Sequence, residues 1–186
     1  MDALLTGDTF LIEQLVRPVV NLYKVSAAGQ PVAFCRQKRM ALKEDIRFFA
    51  DESEASELFR IKARAVLEIG GRYDVTTPAG EPIGVLEKVF GKSLLRSTWR
   101  VLDPDGQEVA GAQEANMAIA LVRRLIDLPI PYHFTITAGE AQIGELRREF
   151  SFRDRYTLDL SRDAERRLDR RLAVALAIAL DALQGR

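Results

Sequence analysis

Two stretches of this chain, 73–90 and 134–150, are near copies of one another. The first carries Tyr73, Val75, Gly80, Ile83, Gly84, Leu86, Lys88 and Phe90. The second carries Phe134, Ile136, Gly139, Ile143, Gly144, Leu146, Arg148 and Phe150. Each reads as strand, glycine turn, strand, and such a repeat limits the chain to folds assembled from copied β-hairpins. Two shorter copies exist. Tyr23 and Val25 lead to Gly29 and Val32, and Trp99 and Val101 lead to Gly106 and Val109. In every copy but the one at Phe134, a valine or isoleucine stands three residues after the glycine.

The same signals run along the chain. Strands are expected over Phe10–Leu15, Asn21–Ser26 and Pro31–Lys38, then Ile46–Ala50 and Leu58–Ala65 around the acidic loop Asp51–Glu57. A weaker strand is expected at Leu67–Ile69. Next come Arg72–Thr76, Pro82–Phe90, Leu95–Leu102 and Glu108–Gln113, the last two around the strong turn Asp103, Pro104, Asp105, Gly106. Tyr132–Thr137, Gln142–Phe150 and Arg155–Leu160 complete about a dozen strands. Met117, Leu121, Leu125 and Leu128 share a helical face, so a helix is expected over 115–128, ended by Pro129 and Pro131.

Side chains alternate along a strand, so each aromatic and the branched residue two places on share a face. In 143–150 one face carries Ile143, Glu145, Arg147 and Glu149 and is expected to meet water. The other carries Gly144, Leu146, Arg148 and Phe150 and is expected to look inward, as are Gly84, Leu86, Lys88 and Phe90. Inward glycines leave room for another element to approach. Inward Lys88 and Arg148 need partners or an open end, because an unpaired buried charge is costly.

No earlier segment resembles Leu172–Leu183, an alanine-rich apolar run whose one charge is Asp181. Its bulky residues spread around the helix axis, and a helix apolar all round must be surrounded. The run is about 18 Å long at 1.5 Å per residue, short of the ~20 residues of a bilayer crossing. Protein is therefore the expected surround: a β-barrel wrapped on the helix, with alanines keeping the helix slender. The helix is expected to begin near Arg162 with Ser161 or Asp159 as its cap. The arginine-rich start, 162–171, reads as a solvated first turn; as an alternative it forms a basic lip beside Lys88 and Arg148.

Composition removes several function classes. The 27 basic residues equal the 27 acidic ones, so net charge gives no reason to expect nucleic acid as a partner. Cys35 is the one cysteine, which fits a reducing, cytoplasmic setting and a buried inert thiol. His133 is the one histidine, too few for a histidine-based zinc site, and a structural role is expected for it. No cofactor and no metal are expected. The N-terminus shows no signal-peptide pattern.

The hairpin series, with Arg36, Gln37 and Lys38, with Tyr73, Asp74 and Val75, with the run Leu95 to Trp99 and with the apolar terminal helix, resembles the LURP-one-related and phospholipid scramblase group of the tubby C-terminal-like superfamily. The resemblance spans nearly the whole chain and implies one domain, 1–186. It implies a mainly β fold with some α: a twelve-stranded antiparallel barrel enclosing a hydrophobic C-terminal helix. Tubby-type members bind phosphoinositides at a basic surface, scramblases are associated with calcium-dependent lipid movement, and plant relatives with defence. This sequence carries neither the proline-rich extension nor the cysteine-rich segment of scramblases. Its acidic loop Asp51–Glu57 lacks the glycine and spacing of an EF-hand.

The expected function is a non-enzymatic module that recognises anionic phospholipid headgroups, such as phosphoinositides, peripherally at a membrane. The candidate residues are Arg60, Lys62 and Arg64, which alternate onto one strand face, and Lys38, Lys88 and Arg148. Arg36, Arg39 and Lys43 cluster with Lys38. The alternative is a structural or protein-interaction domain with no small ligand. An enzyme or a lipid-carrying barrel is disfavoured. No acid, base and nucleophile converge, and the helix would fill the lumen a carrier needs.

Overall fold

The computed structural model describes residues 2–16, 20–38, 45–64, 71–89, 97–115, 133–149 and 155–183. Twelve strands form a closed antiparallel barrel in which each pairs with its neighbours in sequence and the first closes on the last. They are β1 (Thr9–Val16), β2 (Val20–Ala27), β3 (Gln30–Lys38), β4 (Asp45–Phe49), β5 (Glu57–Ala63) and β6 (Arg72–Thr76). The series continues with β7 (Pro82–Val89), β8 (Thr98–Leu102), β9 (Glu108–Glu114), β10 (His133–Ala138), β11 (Ala141–Glu149) and β12 (Arg155–Asp159). Closure through the β1–β12 pair leaves no free sheet edge. A short helix, α1 (Asp2–Thr6), precedes β1, and the second helix, α2 (Arg170–Ala182), runs through the lumen. The helix expected at 115–128 and the weak strand at 67–69 lie outside the described residues.

The repeated aromatic and branched positions are the inner wall. Tyr23, Val25, Val75, Trp99, Val101, Phe134 and Ile136 are buried, and Tyr73 packs on the same core. On α2 every residue from Leu172 to Leu180 is buried, so the helix is surrounded on all sides by the barrel, as its all-round apolar surface requires. Each large side chain buried there contributes roughly 1.5–3 kcal/mol.

Five hairpins share an irregularity that explains the spacing of the repeat. The register of β2–β3, β4–β5, β6–β7, β8–β9 and β10–β11 slips once near each turn. The extra residues are Val32, Leu58, Ile83, Val109 and Ile143. The repeated valine or isoleucine is thus the bulge residue. This corrects the expected exposure of Ile143: the bulge shifts the strand's phase, and Ile143 is 2% exposed. Beyond the bulge the expected alternation holds, with Leu146 buried and Arg147 and Glu149 exposed.

The inward glycines do make room. A Cβ on Gly84 would collide with the Leu102 carbonyl and lie 2.9 Å from Leu172 Cδ1 on α2. A Cβ on Gly144 would lie 2.5 Å from the Asp159 carbonyl and 2.7 Å from Leu160 Cδ2.

The start of α2 differs from the expectation. It begins at Arg170, with Asp169 as its cap, accepting 2.8 Å from the Arg171 N–H. Asp159 instead accepts from the Ser161 N–H, and Arg166 adopts a left-handed φ of 52° that no helix tolerates. The reason is Asp163. Its buried carboxylate takes the N–H groups of Arg167 and Leu168 and the Arg170 guanidinium at 2.6 Å, holding 160–169 as turns across the barrel end. Arg170, itself buried, also reaches Asp8 and the Gly7 carbonyl, and Arg166 bonds the Leu5 and Thr6 carbonyls. With Leu4 in the core, these bonds seat α1 against this end.

The barrel thus has a turn end, where α2 begins, and an opposite end, called the mouth below, where α2 finishes and whose strand connections lie outside the described residues.

Candidate functional site

The inner wall changes character at the mouth. Below it the lumen is apolar; around the last turn of α2 it is polar. Tyr23 donates a hydrogen bond to Asp181 Oδ2 at 2.8 Å, and Tyr156 donates a short one to Asp181 Oδ1. Gln14 donates to the Tyr23 oxygen at 3.3 Å. Burial, and then the Asp181 charge, push the Tyr23 phenol well above its ordinary range, so it stays a donor. Lys88 donates to the Leu183 carbonyl at 3.2 Å, satisfying a carbonyl at the helix terminus where a cation is favoured. The Arg148 guanidinium lies 6.0 Å from the centroid of the Tyr156 ring. Both basic residues are half-buried. The inward orientation expected for them is the one observed, and both border the end of α2.

The outer cations are arranged differently. Arg60 donates to Glu57 at 2.6 Å and Arg64 to Asp74 at 2.8 Å. Lys62 is exposed and stands in register with Asp45 on one side and Asp74 on the other. Arg36 donates to Glu54 at 2.8 Å. The expected alternation of Arg60, Lys62 and Arg64 onto one face is present, but Arg60 and Arg64 are already held by carboxylates. The backbone of Lys38 ends β3 opposite Val20; its side chain, like Arg39 and Lys43, lies outside the description. The β6–β8 wall repeats this pattern. Burial works against the charge of Glu87, but Arg72 and Arg100 outweigh it and hold the carboxyl below its ordinary range.

The basic lip considered for 162–171 is not formed. Arg170 lies at the turn end, opposite the mouth that carries Lys88 and Arg148. Its guanidinium is consumed by Asp163 and Asp8.

Sequence reasoning missed one outer feature. Phe34 and Phe49 face outward, directly opposite one another on β3 and β4, yet are only 6% and 7% exposed. The loop 50–56 folds over this pair. Beside it opens a groove of about 290 Å³, lined by Lys24, Pro31, Phe34, Ala50, Asp51 and Glu52 among others. The available signal was phase: Phe34 and Phe49 are apolar at positions that the buried neighbours Cys35 and Phe48 assign to the outside.

Cys35 is fully buried and burial raises its thiol pKa well above the ordinary value, which makes it an unreactive core residue. His133 pairs with Glu145 at 2.9 Å across β10 and β11 on the outer wall. Among the described residues no three histidine, cysteine, aspartate or glutamate groups converge as a metal set. Among them, too, no helix is long and apolar enough to cross a membrane.

Among the described residues, twelve strands closed on one buried helix define a helix-filled β-barrel in which the lumen is the core. The family model for LURP-one-related proteins matches residues 32–181, and the chain belongs to that family. β1 and β2 precede the matched region, although the barrel closes through them. No curated protein and no solved structure matches the chain.

Proposed function

We propose that this chain is a single non-enzymatic binding domain that takes an anionic phospholipid headgroup, of the phosphoinositide kind, at the barrel mouth, acting peripherally at a cytoplasmic membrane face. The observation that carries the reading is the placement of Lys88 and Arg148 around the last turn of α2. Lys88 meets the Leu183 carbonyl and Arg148 the Tyr156 ring, so the two cations border one helix end. Phosphate oxygens bind lysine by charge and arginine by geometry. Arg60, Lys62, Arg64 and Lys38 are a second, outer contribution. Arg60 and Arg64 are held by Glu57 and Asp74 and would have to exchange them for lipid.

Co-sedimentation with vesicles of phosphatidylcholine alone, with added phosphatidylserine, and with added phosphatidylinositol bisphosphate tests this. The last should pellet the protein. Soluble inositol phosphate should compete, separating headgroup recognition from general attraction to an anionic surface. Arg148→Gln should weaken binding about fivefold, the size of one charge-assisted contact, and Arg64→Gln should do so by less. Equal pelleting by all three vesicle types ends the proposal.

The second reading, a structural or protein-interaction domain with no small ligand, is favoured by the apolar groove beside Phe34.

A further inference from the structure

We propose that the groove between the β2–β3 and β4–β5 turns docks an extended segment of a partner protein, one carrying a large apolar side chain next to a lysine or arginine. The floor supplies the first half of that description. Pro31, Phe34 and Ala50 make an apolar surface on a wall whose other outward positions nearby are Lys24, Arg36, Arg47, Arg60 and Lys62. Two aromatic side chains set opposite one another on the outside of a barrel contribute nothing to its lumen. At about 290 Å³ the cavity has room for one large side chain, below the range of whole small-molecule pockets.

The rim supplies the second half. Asp51 and Glu52 stand along one side, and Lys24 on the other is the one base in the lining. Within the lining two carboxylates stand against one ammonium, and the nearby Arg36, Arg47 and Arg60 are paired with Glu54, Asp45 and Glu57. That local excess favours a cationic neighbour to the anchor and disfavours an anionic lipid surface. This site therefore differs in ligand chemistry from the mouth and lies at the opposite end of the barrel.

The groove is also preformed, so little ordering is needed on binding. The Ala50 N–H bonds the Ser56 carbonyl at 2.9 Å, and the Ser53 N–H bonds the Asp51 carboxylate at 2.8 Å. Glu54 holds a left-handed φ of 57° and is tied to Arg36 on β3. These bonds fix the loop over Phe49 and present Asp51 at the rim.

The test uses the isotope-labelled full chain and three blocked tripeptides: arginine–tryptophan–arginine, glutamate–tryptophan–glutamate and arginine–alanine–arginine. The first should shift the amide resonances of Lys24, Phe34 and 50–53 and saturate. The other two should bind about fivefold more weakly, the scale of an exposed charge pair or a partly buried side chain. Ala50→Trp fills the groove from an exposed position and should abolish the shifts without changing the melting temperature. Asp51→Asn with Glu52→Gln should erase the preference for the basic peptide over the acidic one. The proposal is overturned if the acidic peptide binds equally well, or if no groove amide responds. It is also overturned if the same amides respond to anionic vesicles, or to raising the concentration of the protein alone, which would assign the groove to lipid or to a second copy.

Discussion

Tyr23 donates its phenolic proton to Asp181 across 158 positions of the chain, at 2.8 Å. The bond ties a strand at the beginning of the barrel to the last turn of the helix that fills it. Tyr156 holds the other carboxylate oxygen from the opposite side of β1. The one charge on the apolar run is therefore a register pin: it fixes how far the helix is threaded.

That pin gives an alkaline signature. The folded Tyr23 pKa is raised well above 10.0 by burial and by Asp181, whereas the unfolded phenol titrates near 10.0. A raised pKa means the stabilisation is complete below the unfolded value and is lost as pH climbs past it toward the folded one. Thermal melts should be flat up to about pH 10 and fall above it. Tyr23→Phe should start about 1 kcal/mol lower and fall less steeply. Identical alkaline slopes for the two proteins would rule the pin out.

Asp163 predicts the acid limb. Burial opposes its ionisation, but the Arg170 bond and the backbone N–H groups of Arg167 and Leu168 win and hold it below 3.8. A depressed pKa means stability that is present above the unfolded value and disappears as pH drops through the folded one. Asp163→Asn should lose about 3 kcal/mol at neutral pH, because Arg170 is left buried with a weaker partner, and should show a shallower acid transition. Chemical denaturation at several pH values measures both.

Gly84, in the barrel wall, and Gly80, in the β6–β7 turn, contrast a crowded site with an open one. Gly84→Ala should lose about 3 kcal/mol, since the new methyl meets the Leu102 carbonyl and Leu172. Gly80→Ala meets nothing within 4 Å and should lose about 1 kcal/mol, from its left-handed φ of 89° alone. Urea unfolding of the pair decides; equal losses would mean that α2 does not pack on β7 as described.

Leu176 is fully buried at the middle of α2. Leu176→Ala should lose about 3 kcal/mol and still fold. Leu176→Asp, which puts an unpaired carboxylate in the core, should not fold. A soluble Leu176→Asp protein with a cooperative melt would contradict the surrounded helix.

The strands were legible because the period of two and the glycine turns are local signals. Tyr73 and Val75, or Phe134 and Ile136, declare their face from sequence alone. The buried helix was legible because Leu172 to Leu180 offers no polar stripe. Ile143 was misread because a bulge shifts the phase by a residue, and nothing local to one strand reports the register of its partner. The start of α2 was misread because Asp163 looks like a first-turn acid until Arg170 and the N–H groups of Arg167 and Leu168 are seen to converge on it. At the candidate site, the inward Lys88 and Arg148 followed from alternation. The carboxylates beside Arg60 and Arg64 depend on registers between neighbouring strands, and Phe34 meets Phe49 only through the pairing of β3 with β4.

The helix that fills the barrel follows all twelve strands in chain order. A ribosome therefore delivers the wall before its contents, and until α2 emerges the nascent sheet has an unpacked greasy interior. The pairing of β12 with β1 and the arrival of α2 must come nearly together, so this domain should acquire its structure late and all at once, and should lean on chaperones until it does.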